Sequence, residues 1–500
     1  MVQRQDDHEF IVVGAGVAGC VLAARLAEAG RSVLLLEAGP DLRDGPPPNR
    51  GDALASDLHD GWKLPTTNDW GYETEPGAAG HSEPLRRVKG VGGTGWMTRF
   101  AVRASPADFD AWGAGNPGWT FDEMLPHLKR IESDLEFGDR EWHGSDGPIP
   151  ITRYPHLDPA EIHALTLEAT RSAGFADVED HNAPGAIGVG RFPMNSLEGR
   201  RVTTADSYLQ PGDASKRIIV RPSSEVASLA LTGRRVVGVR LTDGSVLNAS
   251  TVILAAGTYG SPAILMRSGI GPAEHLRDVG VPVAVDLPGV GSNLADHPEV
   301  DVDAGWHGTA RPGPILHSIA TFRSEGSSER DPADLMLWIA DPRGDPASFE
   351  VDVVLLKPLS RGTVRLRSAD PTAPPRIDLP GVREPADAQR LAEGYRRGWE
   401  ILNADVVRRR CTDPSSPLPS SDDELRAWVT ANVYSVPHVV GTCAMGRSPD
   451  QGSVVDANGR VHGVEGLFVV DASIIPDAPS GFPHLVIIAI AESIVARIVR

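Results

Sequence analysis

Two histidines near the carboxyl end of the chain lie in blocks rich in glycine and proline. His438 stands in the block 437–446, which reads P-H-V-V-G-T-C-A-M-G, and His484 stands in the block 481–485, which reads G-F-P-H-L. Histidine has an unperturbed pKa of ~6.5, so it can take up or release a proton near neutral pH. Two histidines 46 residues apart can equally be independent core residues, and their separation leaves both interpretations open.

A second group of residues suited to chemistry is a glycine turn near the amino end. Gly14, Gly16 and Gly19 form G-x-G-x-x-G between an apolar run and an Ala/Leu-rich segment, a pattern of strand, turn and helix. In such a unit the first glycine permits the tight turn, the second lets a pyrophosphate approach the backbone, and the third lets the helix pack on the strand. The helix N-terminus then presents unpaired N–H groups to the phosphates.

Glu37 ends the next apolar strand, eighteen residues after Gly19. A carboxylate at this position can accept hydrogen bonds from a ribose. Strand, turn, helix and acid together predict an adenine dinucleotide as ligand, although a glycine-rich turn in an unrelated α/β unit can share the pattern. The unit by itself does not distinguish FAD from NAD(P).

The composition is that of a globular enzyme with an acidic surface. The 500 residues are 41% hydrophobic and 23% charged, carry a formal charge of −19, and predict about three domain-sized units. The charge disfavours nucleic acid or an anionic membrane as partner, so a small-molecule ligand is expected. The three cysteines, Cys20, Cys411 and Cys443, form neither a metal-ligand spacing nor a disulfide framework.

The two ends of the chain bear on location. The first nine residues lack the basic region and apolar run of a signal peptide, and the apolar run 485–499 is interrupted by Glu492, Ser493 and Arg497. That run predicts a buried terminal helix. A cytoplasmic location without a membrane span is therefore expected. No metal site is expected either, because the cysteines lack metal-ligand spacing.

The middle of the chain alternates short apolar runs with polar turns. Four runs between 218 and 254 predict a β-meander, and period-two runs between 299 and 436 predict an antiparallel sheet. The Pro- and Asp-rich loop 44–52 is expected to be exposed. His143, with glycine and proline close by, is expected to be structural rather than catalytic.

Several of these blocks make the chain resemble the glucose-methanol-choline (GMC) flavoprotein oxidoreductases. The dinucleotide unit ends in E-A-G at 37–39, and the loop 92–98, G-G-T-G-W-M-T, follows the family's flavin loop. This loop carries Trp96 and Thr98 where the family usually has a small residue and Asn. The block 257–271 resembles the family's second signature nearly residue for residue.

The run 288–298, P-G-V-G-S-N-L-A-D-H-P, also follows the family pattern. Its His297 is expected to be structural, fixed in a turn between domains. The blocks around His438 and His484 resemble the family's H-P-x-G-T-x-x-M-G block and its second catalytic position. The resemblance thus favours a catalytic pair over two independent core histidines.

The resemblance implies an α/β fold, with a Rossmann-like FAD-binding domain of the GMC type and a substrate domain built on an antiparallel β-sheet covered by helices. Residues 1–145, 195–298 and 437–500 are expected to form the discontinuous FAD-binding domain. Residues 146–194 and 299–436 are expected to form the substrate-binding domain.

The resemblance also implies FAD as the cofactor. Some members link the flavin covalently through a histidine of the flavin loop, and this chain has Met97 at that position, so non-covalent FAD is expected. The expected cofactor-binding residues are Gly14, Gly16, Gly19, Glu37, Ala38, Gly92, Gly93, Thr94, Trp96, Met97, Thr98, Val226, Ala256, Gly257, Asp471, Ala472, Pro483 and His484.

The implied reaction is oxidation of the CH–OH group of a small-molecule alcohol to an aldehyde or ketone. An alcohol donates hydride poorly until its proton begins to leave, so His438 would act as general base and His484 would hydrogen-bond the developing alkoxide. Flavin N5 would accept the hydride, and the electrons would pass to oxygen or to another acceptor. Phe482 and Trp96 as apolar walls would favour an apolar or aromatic alcohol.

Other functions remain open at the level of sequence. The family includes hydroxynitrile lyases and a light-driven fatty-acid decarboxylase, which bind FAD without oxidising an alcohol. The segments around 131–135 and 142–144 also resemble dehydrogenases that pass electrons to the redox peptide mycofactocin. An NAD-dependent dehydrogenase is disfavoured because it leaves the flavin-side blocks unexplained.

Overall fold

The computed structural model describes residues 7–43, 68–76, 82–210, 212–309, 316–342, 347–412 and 416–500, so the loop 44–52 lies outside the described residues. The helices are α1 Val17–Glu28, α2 Pro106–Gly113, α3 Phe121–Ile131, α4 Glu161–Ser172, α5 Thr204–Tyr208, α6 Gly257–Arg267, α7 Ala273–Asp278, α8 Pro385–Leu402, α9 Asp405–Arg408, α10 Asp422–Asn432 and α11 Pro483–Ile498.

The strands alternate with these helices along the chain. They are β1 Asp7–Val13, β2 Val33–Leu36, β3 Tyr72–Glu73, β4 Pro84–Leu85, β5 Glu132–Asp134, β6 Ile149–Ile151, β7 Gly188–Arg191, β8 Ser196–Leu197, β9 Arg200–Arg201, β10 Ile218–Arg221, β11 Val226–Thr232, β12 Arg235–Leu241, β13 Val246–Leu254, β14 Ile270–Gly271, β15 Val285–Asp286, β16 Pro298–Gly305, β17 His317–Phe322, β18 Leu335–Ala340, β19 Ser348–Leu355, β20 Thr363–Arg365, β21 Arg376–Asp378, β22 Tyr434–Ser435 and β23 Leu467–Val469.

The first large sheet is built around the dinucleotide unit predicted from sequence. Its strands run in the order β10-β2-β1-β13-β12-β11, and β23 pairs with β13. The pairs β10/β2, β2/β1, β1/β13 and β13/β23 are parallel, whereas β11, β12 and the start of β13 are antiparallel. Every residue of β2 is buried, as expected for a parallel strand covered on both faces.

The predicted β-meander is only partly correct. Residues 226–254 form an antiparallel arrangement, but β10 pairs in parallel with β2 at the opposite edge of the sheet. The apolar runs 246–247 and 251–254 belong to one strand, because the residues between them continue the ladder against β1. A periodic run reveals strand character, but it does not reveal which edge of which sheet the strand will join.

The second large sheet is antiparallel and confirms the prediction for the chain after residue 299. Its order is β22-β16-β19-β18-β17-β7. Alternate residues of β18 face opposite sides: Leu335, Leu337 and Ile339 pack in one core with helix α8, while Met336 and Trp338 belong to a separate aromatic cluster. The two sheets together confirm the predicted α/β fold.

The predicted domain division can be compared with the strands of the two sheets. The first sheet takes its strands from within 7–254 and 467–469, and the second takes its strands from within 188–191, 298–355 and 434–435. The prediction places Pro298 at the end of the FAD-domain segment 195–298. In the structure Pro298 is the first residue of β16, a strand of the second sheet. The boundaries themselves stay a prediction.

Helix α11 is buried along most of its length and packs beside α1 in the larger core. Its Glu492 is 2% exposed and accepts hydrogen bonds from Arg25 Nε at 2.8 Å and from the Tyr208 hydroxyl at 2.9 Å. This buried carboxylate is therefore paired, as burial of a charge requires. Within the part of the chain that the structure describes, no helix combines the length and hydropathy needed to cross a membrane.

The glycines of the dinucleotide turn differ in what surrounds them. A methyl group on Gly19 would lie 1.8 Å from the Gly14 carbonyl oxygen, so helix α1 touches the turn backbone directly. Gly14 has φ +98, and a methyl group there would lie 2.5 Å from the Ala255 oxygen. A methyl group on Gly16, in contrast, would meet no atom of the described residues within 4 Å. Gly19 and Gly14 thus serve packing, whereas the space at Gly16 is open.

His143 is buried in an ionic network, in line with a structural role. Its Nδ1 lies 2.7 Å from Glu132 Oε1 and its Nε2 lies 2.8 Å from Asp180 Oδ2. Arg103 pairs with Glu132 at 2.5 Å, and Arg153 pairs with Asp180 at 2.7 Å. Burial acts to lower the pKa of His143, but the hydrogen bonds to Asp180 and Glu132 prevail and raise it. The imidazolium form is therefore stabilised.

We expect Gly19→Ala and Gly16→Ala to separate packing from ligand binding. Gly19→Ala should lower the free energy of unfolding by about 1–3 kcal/mol, because its methyl group overlaps backbone. Gly16→Ala should cost less than about 1 kcal/mol, the effect of an alanine at a helix N-cap, yet weaken FAD binding. Urea unfolding of the apoproteins and FAD titration measure the two effects. Unchanged FAD affinity in Gly16→Ala would contradict the assignment of this turn.

We expect His143→Gln to lower the free energy of unfolding by about 1–3 kcal/mol near pH 6, since Glu132 and Asp180 lose a charged hydrogen-bond donor but keep their ion pairs with Arg103 and Arg153. Because folding raises the pKa of His143, its contribution is complete below the unfolded pKa of ~6.5 and is lost as pH rises through the folded pKa. The difference between wild type and variant should therefore shrink towards alkaline pH. Urea unfolding at pH values from about 6 to 9 measures it, and a pH-independent difference would contradict an imidazolium.

Candidate active site

A cavity of about 530 Å³ opens at the dinucleotide turn and extends to both predicted catalytic histidines. This volume falls in the range of cofactor and small-molecule sites. At one end lie Gly14 and Glu37, at the carboxyl ends of the parallel strands β1 and β2. At the other end lie His438 and His484. The structure therefore brings the two histidines, 46 residues apart in sequence, to the same cavity as the dinucleotide turn.

Most of the residues predicted to bind the cofactor line this cavity. Those on its wall are Gly14, Gly16, Glu37, Ala38, Gly93, Thr94, Thr98, Val226, Ala256, Gly257, Asp471, Ala472, Pro483 and His484. Gly19, Gly92, Trp96 and Met97 are described by the structure but do not line it. Gly19 instead serves the contact between helix α1 and the turn.

The glycine loop around 92–97 lies directly on the dinucleotide turn. Gly92 donates its N–H to the Ala15 carbonyl at 2.7 Å, and a methyl group on Gly93 would lie 2.7 Å from the Gly16 Cα. The indole N–H of Trp96 donates to the Val91 carbonyl at 2.8 Å. Trp96 therefore lies back against its own loop instead of forming the apolar wall expected of it.

Glu37 and Asp471 hold backbone in place around the cavity. Glu37 accepts the N–H of Ala15 at 3.0 Å and that of Gly39 at 2.9 Å. Asp471 accepts the N–H of Gly257 at 2.9 Å and the hydroxyl of Ser261 at 2.6 Å, and so fixes the start of helix α6. Burial raises the pKa of both carboxyl groups against these hydrogen bonds.

His438 is surrounded by uncharged rings. Its ring centroid lies 4.1 Å from that of Phe482, and its Nδ1 lies 3.1 Å from the Nδ1 of His297. Burial holds the pKa of His438 well below its usual range, and the neighbouring His297 and Arg87 act in the same direction. His438 is therefore neutral at neutral pH, the form in which an imidazole can accept a proton.

His484 lies in the first turn of helix α11 and is 3% exposed. Burial lowers its pKa to about 4, so it too is neutral. Its Nε2 has no hydrogen-bond partner among the described residues. Buried polar atoms normally have a partner, so an unpartnered nitrogen beside a cavity is suited to a bound ligand.

Sequence reasoning missed several residues of this site. Three aromatic rings pack behind the predicted wall residue Phe482, whose ring centroid lies 5.4 Å from that of Phe192, 6.1 Å from that of Phe100 and 6.2 Å from that of Trp338. Residues 371–375 line the cavity from the other side. These residues come from separate strands and loops, and no common motif in the sequence links them.

The residues present fit a dinucleotide cofactor. Gly16 leaves open space at the N-terminus of helix α1, where a pyrophosphate would meet backbone N–H groups and the positive end of the helix dipole. The Glu37 carboxylate stands on the cavity wall within the same unit. The unpartnered His484 nitrogen lies at the opposite end.

Known proteins match this chain over nearly its whole length. Residues 8–299 and 358–491 match the family models of the N- and C-terminal parts of GMC oxidoreductases. The 5-(hydroxymethyl)furfural oxidase of Methylovorus sp. (strain MP688) is 36% identical, with 97% of each chain covered. The oxygen-dependent choline dehydrogenase of Paraburkholderia xenovorans (strain LB400) is 33% identical, with 99% of this chain and 94% of the relative covered.

A solved structure has the same fold. The crystal structure of pyridoxine 4-oxidase from Mesorbium loti superimposes with a TM-score of 0.87 at 30% identity, covering 98% of this chain and 99% of that one. One assignment follows from three findings: two family models span most of the sequence, relatives exceed 30% identity, and the fold is shared. The chain belongs to the GMC oxidoreductase family and is an FAD-dependent alcohol oxidoreductase.

Proposed function

We propose that this chain oxidises the CH–OH carbon of a small-molecule alcohol to an aldehyde or ketone, with His438 as the general base and FAD held without a covalent bond. The observation that carries the proposal is the position of His438 on the wall of the cavity that also contains the dinucleotide turn, in surroundings where burial lowers the pKa of its imidazole. A base that is already deprotonated at neutral pH can accept the hydroxyl proton as the C–H bond begins to break.

The second histidine contributes through its free nitrogen. Nε2 of His484 is buried and has no partner in the part of the chain that the structure describes, so it can bond the alcohol oxygen and hold the carbon in place. Bound FAD supplies the acceptor for the hydride. His438 and His484 together orient the alcohol and move its proton, and the electrons pass afterwards to oxygen or to a separate acceptor.

The absence of a covalent flavin link is supported by the chain's own side chains. Met97 stands where the loop histidine of covalently linked members stands, and it lies off the cavity wall. The cysteines Cys20, Cys411 and Cys443 are buried and do not line the cavity either. Denaturation should therefore release FAD into the supernatant.

The surroundings of His438 favour an apolar or aromatic alcohol. The Phe482 ring lies 4.1 Å from the imidazole of His438 at a tilt of 50°, and Phe192, Phe100 and Trp338 lie behind it. Aromatic side chains bind apolar rings well and stabilise charged groups poorly once water is excluded. The relative named for 5-(hydroxymethyl)furfural, a hydroxymethyl group on an aromatic ring, agrees with this preference.

We expect aromatic primary alcohols to bleach the flavin absorption band when added to the protein without air. His438→Ala should lower the rate of bleaching by about 10²–10⁴-fold, the contribution of a general base, while FAD remains bound. His156→Ala is the matched control, because His156 is exposed. Bleaching at the wild-type rate in His438→Ala would remove the proposed base. Admitting air afterwards separates an oxidase, which reoxidises quickly, from a dehydrogenase.

The lyase and decarboxylase alternatives give a different result in the same assay. An enzyme that uses the flavin site without net oxidation leaves the flavin band unchanged with every alcohol. In that case the proposal fails, although the family assignment stands.

We expect kcat/KM for the alcohol to be independent of pH from about 7 upward until a second group titrates. Since burial depresses the pKa of His438, its base form persists below the ~6.5 of an ordinary histidine, and activity should decline only at more acidic pH. Initial rates across pH at low substrate measure this profile. A decline that begins near pH 8 would assign the base to another group or to a less buried His438.

A further inference from the structure

His297 stands directly beside the proposed base. Its ring is fully buried, lies nearly perpendicular to the ring of His438, at 87°, and places Nδ1 at 3.1 Å from the Nδ1 of His438. Its Nε2 lies 3.0 Å from the Pro479 carbonyl oxygen. Each ring nitrogen of His297 therefore has one partner.

These two contacts fix where the protons lie. A carbonyl oxygen only accepts hydrogen bonds, so Nε2 of His297 must carry a proton and donate it to Pro479. A neutral imidazole has one N–H, so Nδ1 of His297 is then an acceptor. The short contact between the two Nδ1 atoms in turn requires that Nδ1 of His438 carries the proton and donates it.

The neutral state of His297 is supported by its surroundings. Burial lowers its pKa to about 4, and the cation of Lys357 acts in the same direction, while Asp108 and Asp477 oppose it. Lys357 is itself ion-paired with both of those carboxylates, at 2.9 and 2.7 Å. These ion pairs largely neutralise the charges of Lys357, Asp108 and Asp477, so the three groups act only weakly on the imidazole of His297.

We propose that His297 is a positioning residue for the reaction. It holds His438 in the tautomer with the proton on Nδ1, which leaves the lone pair of Nε2 free to accept the alcohol proton. The inference rests on the proposed function, and it gives His297 a task beyond the structural one expected from sequence. During proton transfer the bond to His297 also orients the imidazolium, since Nδ1–H of His438 keeps its acceptor.

The backbone holds the two rings in this arrangement. The strands β16 and β22 pair Pro298 with Ser435, so the residues just outside this pair, His297 and Val436, lie side by side, and Val436 N–H donates to the His297 carbonyl at 3.1 Å. Asp296 accepts the backbone N–H of His438 at 2.7 Å. The pair of histidines is therefore part of a sheet edge and not a chance contact of two side chains.

Among the residues that the structure describes, no titratable group other than His297 forms a hydrogen bond with Nδ1 of His438. Arg87 donates to the Pro437 carbonyl at 3.0 Å, and its charge faces the Tyr259 ring at 5.2 Å. Asp296 accepts backbone N–H groups and the Ser435 hydroxyl, and burial raises its pKa to about 6. His484 is neutral and has no hydrogen bond to His438 among the described residues.

The tautomer can be observed directly by nitrogen NMR of the FAD-loaded protein labelled with ¹⁵N-histidine. His438→Asn assigns the His438 signals by their disappearance. In wild type we expect a protonated Nδ1 and an unprotonated Nε2 on His438, with the opposite arrangement on His297. A proton on Nε2 of His438 would overturn the proposal, because that nitrogen could not then serve as base. This readout needs no substrate, so it stands even if no alcohol reduces the flavin.

Two substitutions test the coupling of tautomer to activity. His297→Leu removes the acceptor, so His438 should lose its Nδ1 proton preference and kcat/KM should fall about 10²-fold, the lower part of a general base's contribution. His297→Asn keeps an amide oxygen near the position of Nδ1, so it should restore the wild-type tautomer and most of the activity. FAD affinity should be unchanged in both.

A merely structural His297 predicts another pattern. The two variants would then change stability and activity in parallel, with the His438 tautomer unchanged in His297→Leu, and that result would overturn the proposal. Should His297→Leu fail to fold, the wild-type spectrum and the recovery in His297→Asn still decide between the two roles.

Discussion

The site depends on backbone packed against backbone at the dinucleotide turn. Helix α1 touches the turn at Gly19, the turn touches the end of β13 at Gly14, and the flavin loop lies on Gly16 through Gly93, where a methyl group would be 2.7 Å from the Gly16 Cα. No side chain separates these segments. The cavity wall at the glycine turn therefore includes peptide backbone with no side chain over it, which offers N–H groups to an anion and leaves room for a cofactor to approach.

The catalytic end of the cavity depends on burial of neutral groups. Burial lowers the pKa of His297, His438 and His484, and it raises the pKa of Asp296. Each shift favours the uncharged form, because an ion loses its hydration in apolar surroundings. The imidazoles are therefore deprotonated at neutral pH, the form that can accept a proton, and the apolar surroundings favour an uncharged substrate.

His297 and His438 lie close together because each is near the end of a strand in one pair of neighbouring strands of the second sheet. His297 immediately precedes β16, and His438 is the third residue after the end of β22. These strands pair antiparallel, so the residue before β16 lies beside the residues that follow β22. His484 and Phe482 arrive from the start of α11, a helix of the first core. The reacting groups therefore lie at the junction of the two sheets, where each is held by a rigid element.

Much of this molecule could be predicted from sequence. The features that could not be predicted all depend on contacts between residues far apart along the chain. The strand, turn and helix at Gly14–Gly19, the terminal helix and the cavity positions of His438 and His484 follow from neighbours along the chain and from blocks shared with a family. The partner of β10, the inward turn of Trp96 and the aromatic cluster around Trp338 could not be read from the sequence, since each depends on residues far away along the chain.

His297 illustrates which properties can be predicted from the sequence and which depend on the folded structure. The sequence predicted a structural histidine at position 297, and the structure places it buried and directly before β16. Only the tertiary structure decided its hydrogen-bond partners, since these come from Pro479 and His438, 182 and 141 residues away. Hydrogen bonding depends on distance and direction in space, so the tautomer that follows from it is a property of the folded chain.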